Sequence, residues 1–439
     1  MRLLNIPCCR NSVCRAEPEL VSFTIRDRQF LLDVNSLAVH QIEGEAKVDA
    51  LNVSPQFGMP EAGVSALVLE VTRACNLKCT YCYNQVYSTD HSSNMSMDVA
   101  RRALHMCFDH YTREIPPRIS FFGGEPMLNW PVVEAVVKEA TTMLSPKCVP
   151  RFSMTTNATL TTEERVRFLA DNKFRLVVSL DGDKQQHDEY RIGQDGKGSF
   201  DDVIYGLGML RWAGVHPVTV RATHTVHDAH LVQRLRFLNE QVYAGLAHNV
   251  SIEPISLSES ACIGSRQDMT VQEEDLQRLE EEYIDGAIWF ATEIKLGHTP
   301  KWSRIVEKLS RLLYTIPVCS ACSAGTEYLT VSGTGDIFAC HRQRSSRIGN
   351  LNDGGVNEGL RAKWQDSRFY LREGCPSCSL RLLCGGGCRE ESLAVNQDIR
   401  IPTKTGCAMQ MMFVKAALWI MSEIPIEQLA QVIPDPTKC

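Results

Sequence analysis

The central part of the chain alternates between short apolar runs and longer segments with the period of amphipathic helices. The apolar runs occupy residues 65–72, 118–122, 151–156, 174–180, 217–225 and 249–255. The helix-period segments between them occupy about 96–112, 130–145, 161–172, 200–214 and 228–241. Because strand–helix alternation builds a parallel sheet through right-handed crossovers, this region predicts an α/β fold. Six such units predict a partial (β/α)6 barrel of the TIM type rather than a closed eight-stranded one.

The two flanking regions have different patterns. Residues 19–43 hold three short β-like runs separated by Asp-Arg and Asn-Ser turns, which predicts an antiparallel meander. Residues 271–314 predict two helices, and a last helical stretch is expected at 408–431. We therefore expect three domains: a β-rich cap over 1–62, the barrel with its connecting helices over 63–314, and a cysteine-rich domain over 315–439.

Composition excludes some classes of protein. The chain has 439 residues, of which 44% are hydrophobic and 22% charged, as in ordinary globular proteins. A net charge of −6 argues against a nucleic-acid partner, and the lack of a run of 18 apolar residues argues against a membrane span. We expect a cytoplasmic location, because the N-terminus has no signal-peptide pattern. In that reducing compartment the 18 cysteines indicate metal binding rather than disulfides.

A first cysteine motif directly follows the first barrel strand. The segment TRACNLKCTYCYN contains Cys75, Cys79 and Cys82. Three thiolates can hold three irons of a [4Fe-4S] cluster and leave the fourth iron open to S-adenosylmethionine. A reduced cluster can then break the sulfonium C–S bond and release a 5′-deoxyadenosyl radical. The alternative is a zinc site, which usually has four ligands in paired spacing, whereas this run offers three.

This motif resembles that of the radical SAM superfamily, and the resemblance extends over about residues 64–255. It implies that polar side chains at successive strand ends bind S-adenosylmethionine. The resemblance implies that the segment FFGGEP binds the methionine amino group of the cofactor and that the segment SMTTNAT binds its ribose or methionyl part. It also implies that an arginine pairs with the carboxylate of the cofactor. The cofactor-binding residues implied in this way are Tyr81 (against the adenine), Gly123, Gly124, Glu125, Pro126, Thr155, Asn157, Ser179 and Arg191.

A second group of cysteines fills the C-terminal region. It consists of Cys319, Cys322, Cys340, Cys375, Cys378, Cys384, Cys388 and Cys407. Eight thiolates suffice for two four-iron clusters or for a pair of zinc sites. The spacing resembles the SPASM extension of peptide-modifying radical SAM enzymes, which implies three [4Fe-4S] clusters in all. The resemblance assigns Cys375, Cys378, Cys384 and Cys407 to an outer cluster, and Cys340, Cys388, Cys322 and Cys319 to an inner one. Some family members leave an open iron at the position that Cys319 would fill.

The resemblance predicts a radical SAM oxidoreductase that matures a ribosomally made peptide by forming a thioether or carbon–carbon crosslink. The alternatives are formylglycine formation in a sulfatase, peptide epimerisation, and a non-catalytic iron–sulfur protein that only transfers electrons. Sulfatase-maturing relatives have an aspartate after the hairpin cysteine, whereas Cys340 is followed here by His341. This difference disfavours formylglycine formation. It makes His341 the candidate catalytic base, unless it only supports the neighbouring cluster.

The expected partners are a peptide or protein substrate and an electron donor of the flavodoxin or ferredoxin type. The segment FLLDVNSLAVHQI in the N-terminal meander resembles the opening of a leader-peptide-binding domain. Such a domain captures an extended leader by adding it as a strand at the edge of the sheet. The helices that normally complete the domain are missing, so the alternative is a simple β-cap on the barrel.

Overall fold

A computed structural model gives the fold of most of the chain. It describes residues 19–42, 63–82, 84, 93–109, 111, 115–145, 148–227, 230–255, 269–342, 344–365 and 368–436. All eleven predicted cluster cysteines lie within these ranges.

The N-terminal strands form a small sheet of their own, which confirms the predicted meander. They are β1 (Leu20–Ile25), β2 (Arg28–Asp33) and β3 (Val39–Ile42), paired antiparallel in that order. The sheet is fastened to the C-terminal helical region through Arg28. Its guanidinium lies 4.2 Å from the ring centroid of Trp419 and forms an ion pair with Glu423. The cap is therefore attached to the body of the protein by both packing and charge.

Six parallel strands form the barrel, as predicted. They are β4 (Ala66–Thr72), β5 (Arg118–Gly123), β6 (Arg151–Thr156), β7 (Arg175–Ser179), β8 (Val218–His224) and β9 (Asn249–Pro254), adjacent in that order. The helices of this region are α1 (Met97–Phe108), α2 (Trp130–Leu144), α3 (Glu163–Asp171), α4 (Lys184–Tyr190), α5 (Phe200–Trp212) and α6 (Leu231–Tyr243). Only the short α4 was not predicted, because its sequence KQQHDEY has no apolar period.

The two faces of the barrel strands differ in chemistry. Leu67, Leu69, Ile119 and Phe121 are fully buried in the hydrophobic core with the helices. The alternate positions on β5 to β9 are partly exposed or polar, as period-two alternation requires of opposite faces. These positions carry Ser120, Phe122, Ser153, Thr155, Ser179, Thr219, Arg221, Thr223, Ser251 and Glu253. The face that the helices leave uncovered, which we call the lumen, is therefore mainly polar.

The sheet continues into the cysteine-rich region. After α7 (Leu276–Lys295) and α8 (Ser303–Leu313), β10 (Tyr328–Ser332) pairs parallel to β4, with Thr330 opposite Val68. It turns through residues 333–335 into β11 (Asp336–Phe338), followed by β12 (Arg347–Asn350) and β13 (Gly355–Val356), all antiparallel. The predicted β10–β11 hairpin is thus present. The single ten-stranded sheet crosses the predicted domain boundary at residue 315.

The last elements are helical. They are α9 (Glu358–Gln365), α10 (Arg381–Cys384), α11 (Arg389–Asn396), α12 (Lys404–Glu423) and α13 (Ile426–Val432). The helical stretch predicted over 408–431 is present, but it consists of two helices, because the chain breaks before Pro425 and α13 starts after it. Among the described residues no single helix is long and apolar enough to cross a membrane. The pair α12–α13 reaches that length and composition only jointly, across a bend of 120°.

Candidate active site and cysteine clusters

The loop that carries Cys75, Cys79 and Cys82 begins directly after β4 and is held on two sides. On one side, Gly124 N donates to Thr72 O at 2.9 Å and Glu125 N donates to Ala74 O at 2.8 Å. On the other side, Lys78 N donates to Ile192 O at 2.8 Å and Thr80 N donates to the oxygen of Tyr190, the last residue of α4, at 3.0 Å. The three cysteines are thereby held at the end of the first barrel strand, as the sequence predicts.

The thiols of this loop lie near one another in a buried environment. Burial raises the pKa of Cys75 to about 12, and the charges of Glu125, Cys79 and Cys82 raise it further. Burial also raises the pKa of Cys79 to about 11, although Arg191 opposes the shift. Neutral thiols are thus favoured in the metal-free protein, whereas a metal cluster binds thiolates and supplies the positive charge that stabilises them. The donor set therefore fits an iron–sulfur cluster.

The two glycines of FFGGEP are required by the close approach of β5 to this loop. A Cβ atom on Gly123 would lie 2.0 Å from Thr72 O, and one on Gly124 would lie 2.1 Å from Ala74 O. Real side chains do not approach backbone oxygens so closely. The glycines therefore set the position of the cysteine loop, in addition to the cofactor contact that remains a prediction for them.

We expect Gly124→Ala to displace the cysteine loop and to lower iron binding selectively. After anaerobic reconstitution the variant should lose about four irons per chain, the content of one cluster, because its new methyl group meets Ala74 O. Iron content and thiol titration measure the effect. The matched control is Gly208→Ala in α5, where a Cβ meets nothing within 4 Å. Full iron content in Gly124→Ala would contradict the role given to this contact.

Glu125 and Asn157 join two strand ends to the cysteine loop. The carboxylate of Glu125 is buried and accepts from Met127 N at 3.1 Å, Thr156 Oγ1 at 2.8 Å and Asn157 N at 2.7 Å. Burial raises its pKa despite these hydrogen bonds. Asn157 Nδ2 donates to Asn76 Oδ1 within the loop at 2.9 Å. Both predicted cofactor-binding residues therefore lie next to the cysteines, and Pro126 begins the short 3-10 helix that follows Glu125.

Asp181 organises the opposite side of the site. It is fully buried and accepts from Arg191 Nε at 2.9 Å, from Arg191 Nη2 at 3.1 Å and from Thr223 N at 2.9 Å. The Tyr81 hydroxyl also donates to it. Burial alone would raise the pKa of Asp181, but the charges of Arg191, His187 and Arg234 together with the hydrogen bond from Arg191 lower it. Sequence analysis did not identify Asp181 as the partner of Arg191 and Tyr81.

These contacts define what Tyr81 and Arg191 do in the protein itself. The guanidinium of Arg191 lies 5.3 Å from the centroid of the Tyr81 ring, and the Tyr190 ring lies 5.7 Å away on a tilted plane. Tyr81 is thus fixed by its hydroxyl and by its ring. Ser179 ends β7 two residues before Asp181, opposite Arg221 on β8. The predicted contacts of Tyr81, Ser179, Thr155 and Arg191 with the cofactor remain predictions.

His341 lies against the barrel strand that ends in the two glycines. Its ring centroid is 4.8 Å from that of Phe122, in an edge-to-face arrangement, and 6.3 Å from that of Tyr328. Burial lowers the pKa of His341 to about 3, and the charges of Arg342 and Arg221 lower it further. The imidazole is therefore neutral at physiological pH. It contacts Phe122, which is one of the lumen residues, and its role as a base remains a prediction.

The lumen also holds charged residues that sequence analysis missed. Glu253 on β9 accepts hydrogen bonds from Arg304 Nε at 2.9 Å and from Arg304 Nη2 at 2.7 Å. Burial opposes the shift, but these contacts and the charge of Arg221 on β8 lower the pKa of Glu253. Both strand residues occupy alternate, partly exposed positions. That alternation was the signal that could have found them, since parallel strands covered on both faces are usually apolar throughout.

The four predicted outer cysteines, which we call the outer set, are brought together. Burial raises the pKa of Cys407 to about 11, and the charges of Cys384, Cys375 and Cys378 raise it further. Cys375 is in turn affected by Cys384 and Cys378. Cys407 on α12 thus lies near Cys375 and Cys378, which precede α10, and near Cys384, which ends it. This is the grouping that the resemblance implies.

Three of the predicted inner cysteines, Cys322, Cys340 and Cys388, also lie near one another, and we call them the inner set. Burial raises the pKa of Cys340 to about 12, and the charges of Glu390, Cys388 and Cys322 raise it further. Burial opposes ionisation of Cys322 as well, but Arg389, the backbone of Ala324 and the charge of Arg342 together lower its pKa. Arg389 Nη2 lies 3.4 Å from the Cys322 thiol. Cys319 is buried, and its carbonyl accepts from Phe369 N at 3.1 Å. Its role as a ligand remains a prediction.

The cysteine sets do not have the geometry of a site for one metal ion. Within the described residues, no three His, Cys, Asp or Glu side chains converge closely enough to hold a single ion. Thiolates that bind one zinc at 2.3 Å lie only about 3.8 Å apart, whereas a four-iron cluster takes each thiolate on a different iron and spaces them more widely.

Comparison with known proteins agrees with this geometry. The family model for the Radical SAM superfamily matches residues 69–231. An AdoMet-dependent heme synthase from Nitratidesulfovibrio vulgaris is 25% identical over 75% of this chain and 88% of its own length. A cysteine-type anaerobic sulfatase-maturating enzyme from Clostridium novyi is 23% identical over 78% of this chain and 91% of its own length. The radical SAM cyclopropyl synthase TigE from Paramaledivibacter caminithermalis is 24% identical over 74% of this chain and 68% of its own length.

Two solved structures share the fold. Native anSMEcpe with bound AdoMet superposes with a TM-score of 0.68 at 19% identity, covering 82% of this chain and 99% of that one. Streptococcus suis SuiB bound to the precursor peptide SuiA superposes with a TM-score of 0.52 at 19% identity, covering 79% of this chain and 76% of that one. They confirm the predicted α/β partial barrel followed by a cysteine-rich region.

Proposed function

Because the chain carries a radical SAM superfamily domain at residues 69–231, we propose that it makes a 5′-deoxyadenosyl radical and uses it to modify a peptide. The observation that carries the proposal is the cysteine loop. Three partly buried thiols lie together between the glycine-rich end of β5 and the Tyr81–Asp181–Arg191 group.

Cys75, Cys79 and Cys82 are the proposed ligands of a [4Fe-4S] cluster with an open iron. When bound, this cluster supplies the electron that splits S-adenosylmethionine into methionine and the 5′-deoxyadenosyl radical. The chain positions the cofactor. In this proposal the strand ends at Gly123–Pro126, Thr155, Asn157 and Ser179 bind the methionyl and ribose parts, and Arg191, oriented by Asp181, adds its charge to the carboxylate site.

Two further [4Fe-4S] clusters are proposed for the outer and inner sets. The mutual proximity of the thiols within each set supports this assignment. Arg389 beside Cys322 stabilises a thiolate in the inner set before any metal arrives. Cys319 is the proposed fourth inner ligand. The complete protein would then contain about twelve irons per chain.

The proposed reaction is hydrogen abstraction from a ribosomally made peptide, followed by a thioether or carbon–carbon crosslink. A relative named a cyclopropyl synthase and a fold neighbour bound to a precursor peptide support a peptide substrate. The polar lumen offers Ser120, Ser153 and Thr219 as hydrogen-bonding groups for a peptide backbone. Bond formation by the substrate radical releases one proton and one electron. His341, neutral and next to β5, is the proposed base for the proton, and one of the two further proposed clusters is the acceptor of the electron.

Formylglycine formation is the second candidate, because sulfatase-maturating enzymes match most of this chain at 23–24% identity.

A leader peptide is proposed to add to the N-terminal sheet at β3, which is a terminal strand among the residues described. A flavodoxin or ferredoxin is the proposed electron donor.

We expect a short peptide encoded beside this gene to lose two hydrogens when it is co-expressed with the enzyme without oxygen. Intact mass shows the loss, and fragmentation blocked across a segment locates the crosslink. Co-expression with a variant that carries alanine at positions 75, 79 and 82 is the control and should leave the mass unchanged. An unchanged mass with deuterium gained from heavy water would replace crosslinking by epimerisation. No change with the peptide, but formylglycine in a sulfatase peptide, would favour the second candidate.

A further inference from the structure

Two cations from α8 converge beside the outer set. Lys308 Nζ donates to Leu383 O at 2.8 Å, and Arg311 Nη1 donates to the same oxygen at 2.7 Å. Leu383 immediately precedes Cys384, and the charge of Cys384 acts on both cations. A lysine and an arginine one helical turn apart are thus directed at the backbone that carries one ligand of the outer cluster.

Lys308 is buried at a position where a helix ordinarily places an apolar residue. Its side chain is only 3% exposed, and it lies on the face of α8 that also buries Ile305, Leu309 and Leu312. Burying an ammonium group is costly unless negative charge accompanies it. Burial lowers the pKa of Lys308 to about 8, and the charge of Arg311 lowers it further, so the group still carries a proton near neutrality.

One carboxylate partly balances these two cations. Glu307 lies 2.5 Å from Arg311 Nη2 and 3.9 Å from Lys308 Nζ, with its side chain 34% exposed. A third cation, Arg372, approaches from another side, where Cys375 and Cys384 act on it and Nη2 donates to Ser392 Oγ at 2.6 Å. The surroundings of the outer set are therefore rich in positive charge.

The inner set has a different balance. Glu390 acts on Cys340, and both Glu390 and Glu391 act on Cys388, in the direction that raises each thiol pKa. Arg342 and Arg389 offset these carboxylates. Positive and negative groups are thus mixed at the inner set, whereas the cations of α8 act on the outer set with one partly exposed counter-charge.

Building on the proposed outer cluster, we propose that Lys308 and Arg311 raise its reduction potential. Reduction adds one negative charge to a cluster, and a nearby buried cation stabilises that charge more strongly than a solvated one would. The cations are positioning groups for this charge and need not touch the substrate. Their effect is specific to the outer set, because they contact the backbone next to Cys384.

The test is a redox titration, followed by electron paramagnetic resonance, of reconstituted protein that carries alanine at 75, 79 and 82, so that only the auxiliary clusters remain. Cys407→Ala identifies the outer signal by its loss. Lys308→Met should make the outer reduction at least about tenfold less favourable, a shift of about 59 mV to more negative potential, and leave the inner signal in place. Lys308→Arg should retain the potential, and Arg311→Gln should shift it in the same direction.

The matched control is Lys295→Met, which removes a half-exposed lysine that pairs with Glu423 at the end of α7. It should not shift either midpoint. Both Lys308→Met and Arg311→Gln could keep their full iron content and both auxiliary signals while the outer midpoint stays unchanged. That result would overturn the tuning role and leave the proposed clusters intact. Loss of iron from the unmutated auxiliary sites would instead overturn the proposed clusters.

Discussion

Replacing Cys75, Cys79 and Cys82 together by alanine is expected to abolish S-adenosylmethionine cleavage while leaving most of the iron in place. The reconstituted variant should retain about eight of about twelve irons per chain, because the outer and inner sets lie in a different part of the fold. 5′-Deoxyadenosine formation should fall to the background of protein-free reactions. Iron analysis and chromatography of the reaction products measure both results on one sample.

The matched control replaces Cys107 and Cys148 by alanine. Both are partly buried cysteines of the barrel region that were not predicted to bind metal. This variant should keep its full iron content and its cleavage activity. If the triple variant retained all its iron, or if zinc occupied the sites instead, the assignment of the first motif to an iron–sulfur cluster would be wrong.

The second large effect is expected for Asp181→Asn. The substitution keeps the shape of the side chain but leaves the buried Arg191 guanidinium without its bidentate partner. Breaking a buried ion pair by removing one member costs about 3–5 kcal/mol, because the remaining charge stays desolvated. We expect the free energy of unfolding to fall by that amount, as measured by urea denaturation under anaerobic conditions. The variant should also lose affinity for the cofactor, because Tyr81 loses its anionic acceptor.

Two variants separate this effect from a general loss of charge. Asp201→Asn removes the partner of exposed Lys184, and it should leave the free energy of unfolding nearly unchanged, because water screens this ion pair. The double variant Asp181→Asn/Arg191→Met removes both buried charges and should recover part of the stability lost in Asp181→Asn. A single variant as stable as the unmodified protein would show that Arg191 finds another anion or water.

The barrel could be predicted because its information is local. Each strand is a short run with fully buried alternate positions, such as Ile119 and Phe121 on β5, and each is followed by a helix period. The pairing of β10 with β4 could not be predicted, because it joins segments more than 250 residues apart and depends on the register of two backbones. The β10–β11 hairpin could be predicted because its two strands are neighbours in the chain, whereas its position in the ten-stranded sheet could not.

The candidate site, like the fold, could be predicted only in part from the sequence. The grouping of the C-terminal cysteines was a prediction from the resemblance of their spacing to a known extension, and the structure places Cys375, Cys384 and Cys407 near one another. The partners of charged side chains were not predictable. Arg191 was expected to bind only a cofactor carboxylate. In the structure it donates to Asp181, which lies ten residues earlier in the chain. Lys308 gave a detectable but unused signal, because it interrupts the apolar face of an amphipathic helix.

The central claim is tested most directly by incubating the reconstituted, dithionite-reduced protein with S-adenosylmethionine and measuring 5′-deoxyadenosine and methionine. The arrangement of Cys75, Cys79 and Cys82 beside Glu125 and Arg191 predicts that both products form in equal amounts. Intact S-adenosylmethionine after reaction with protein that contains about twelve irons per chain would contradict the proposed radical chemistry.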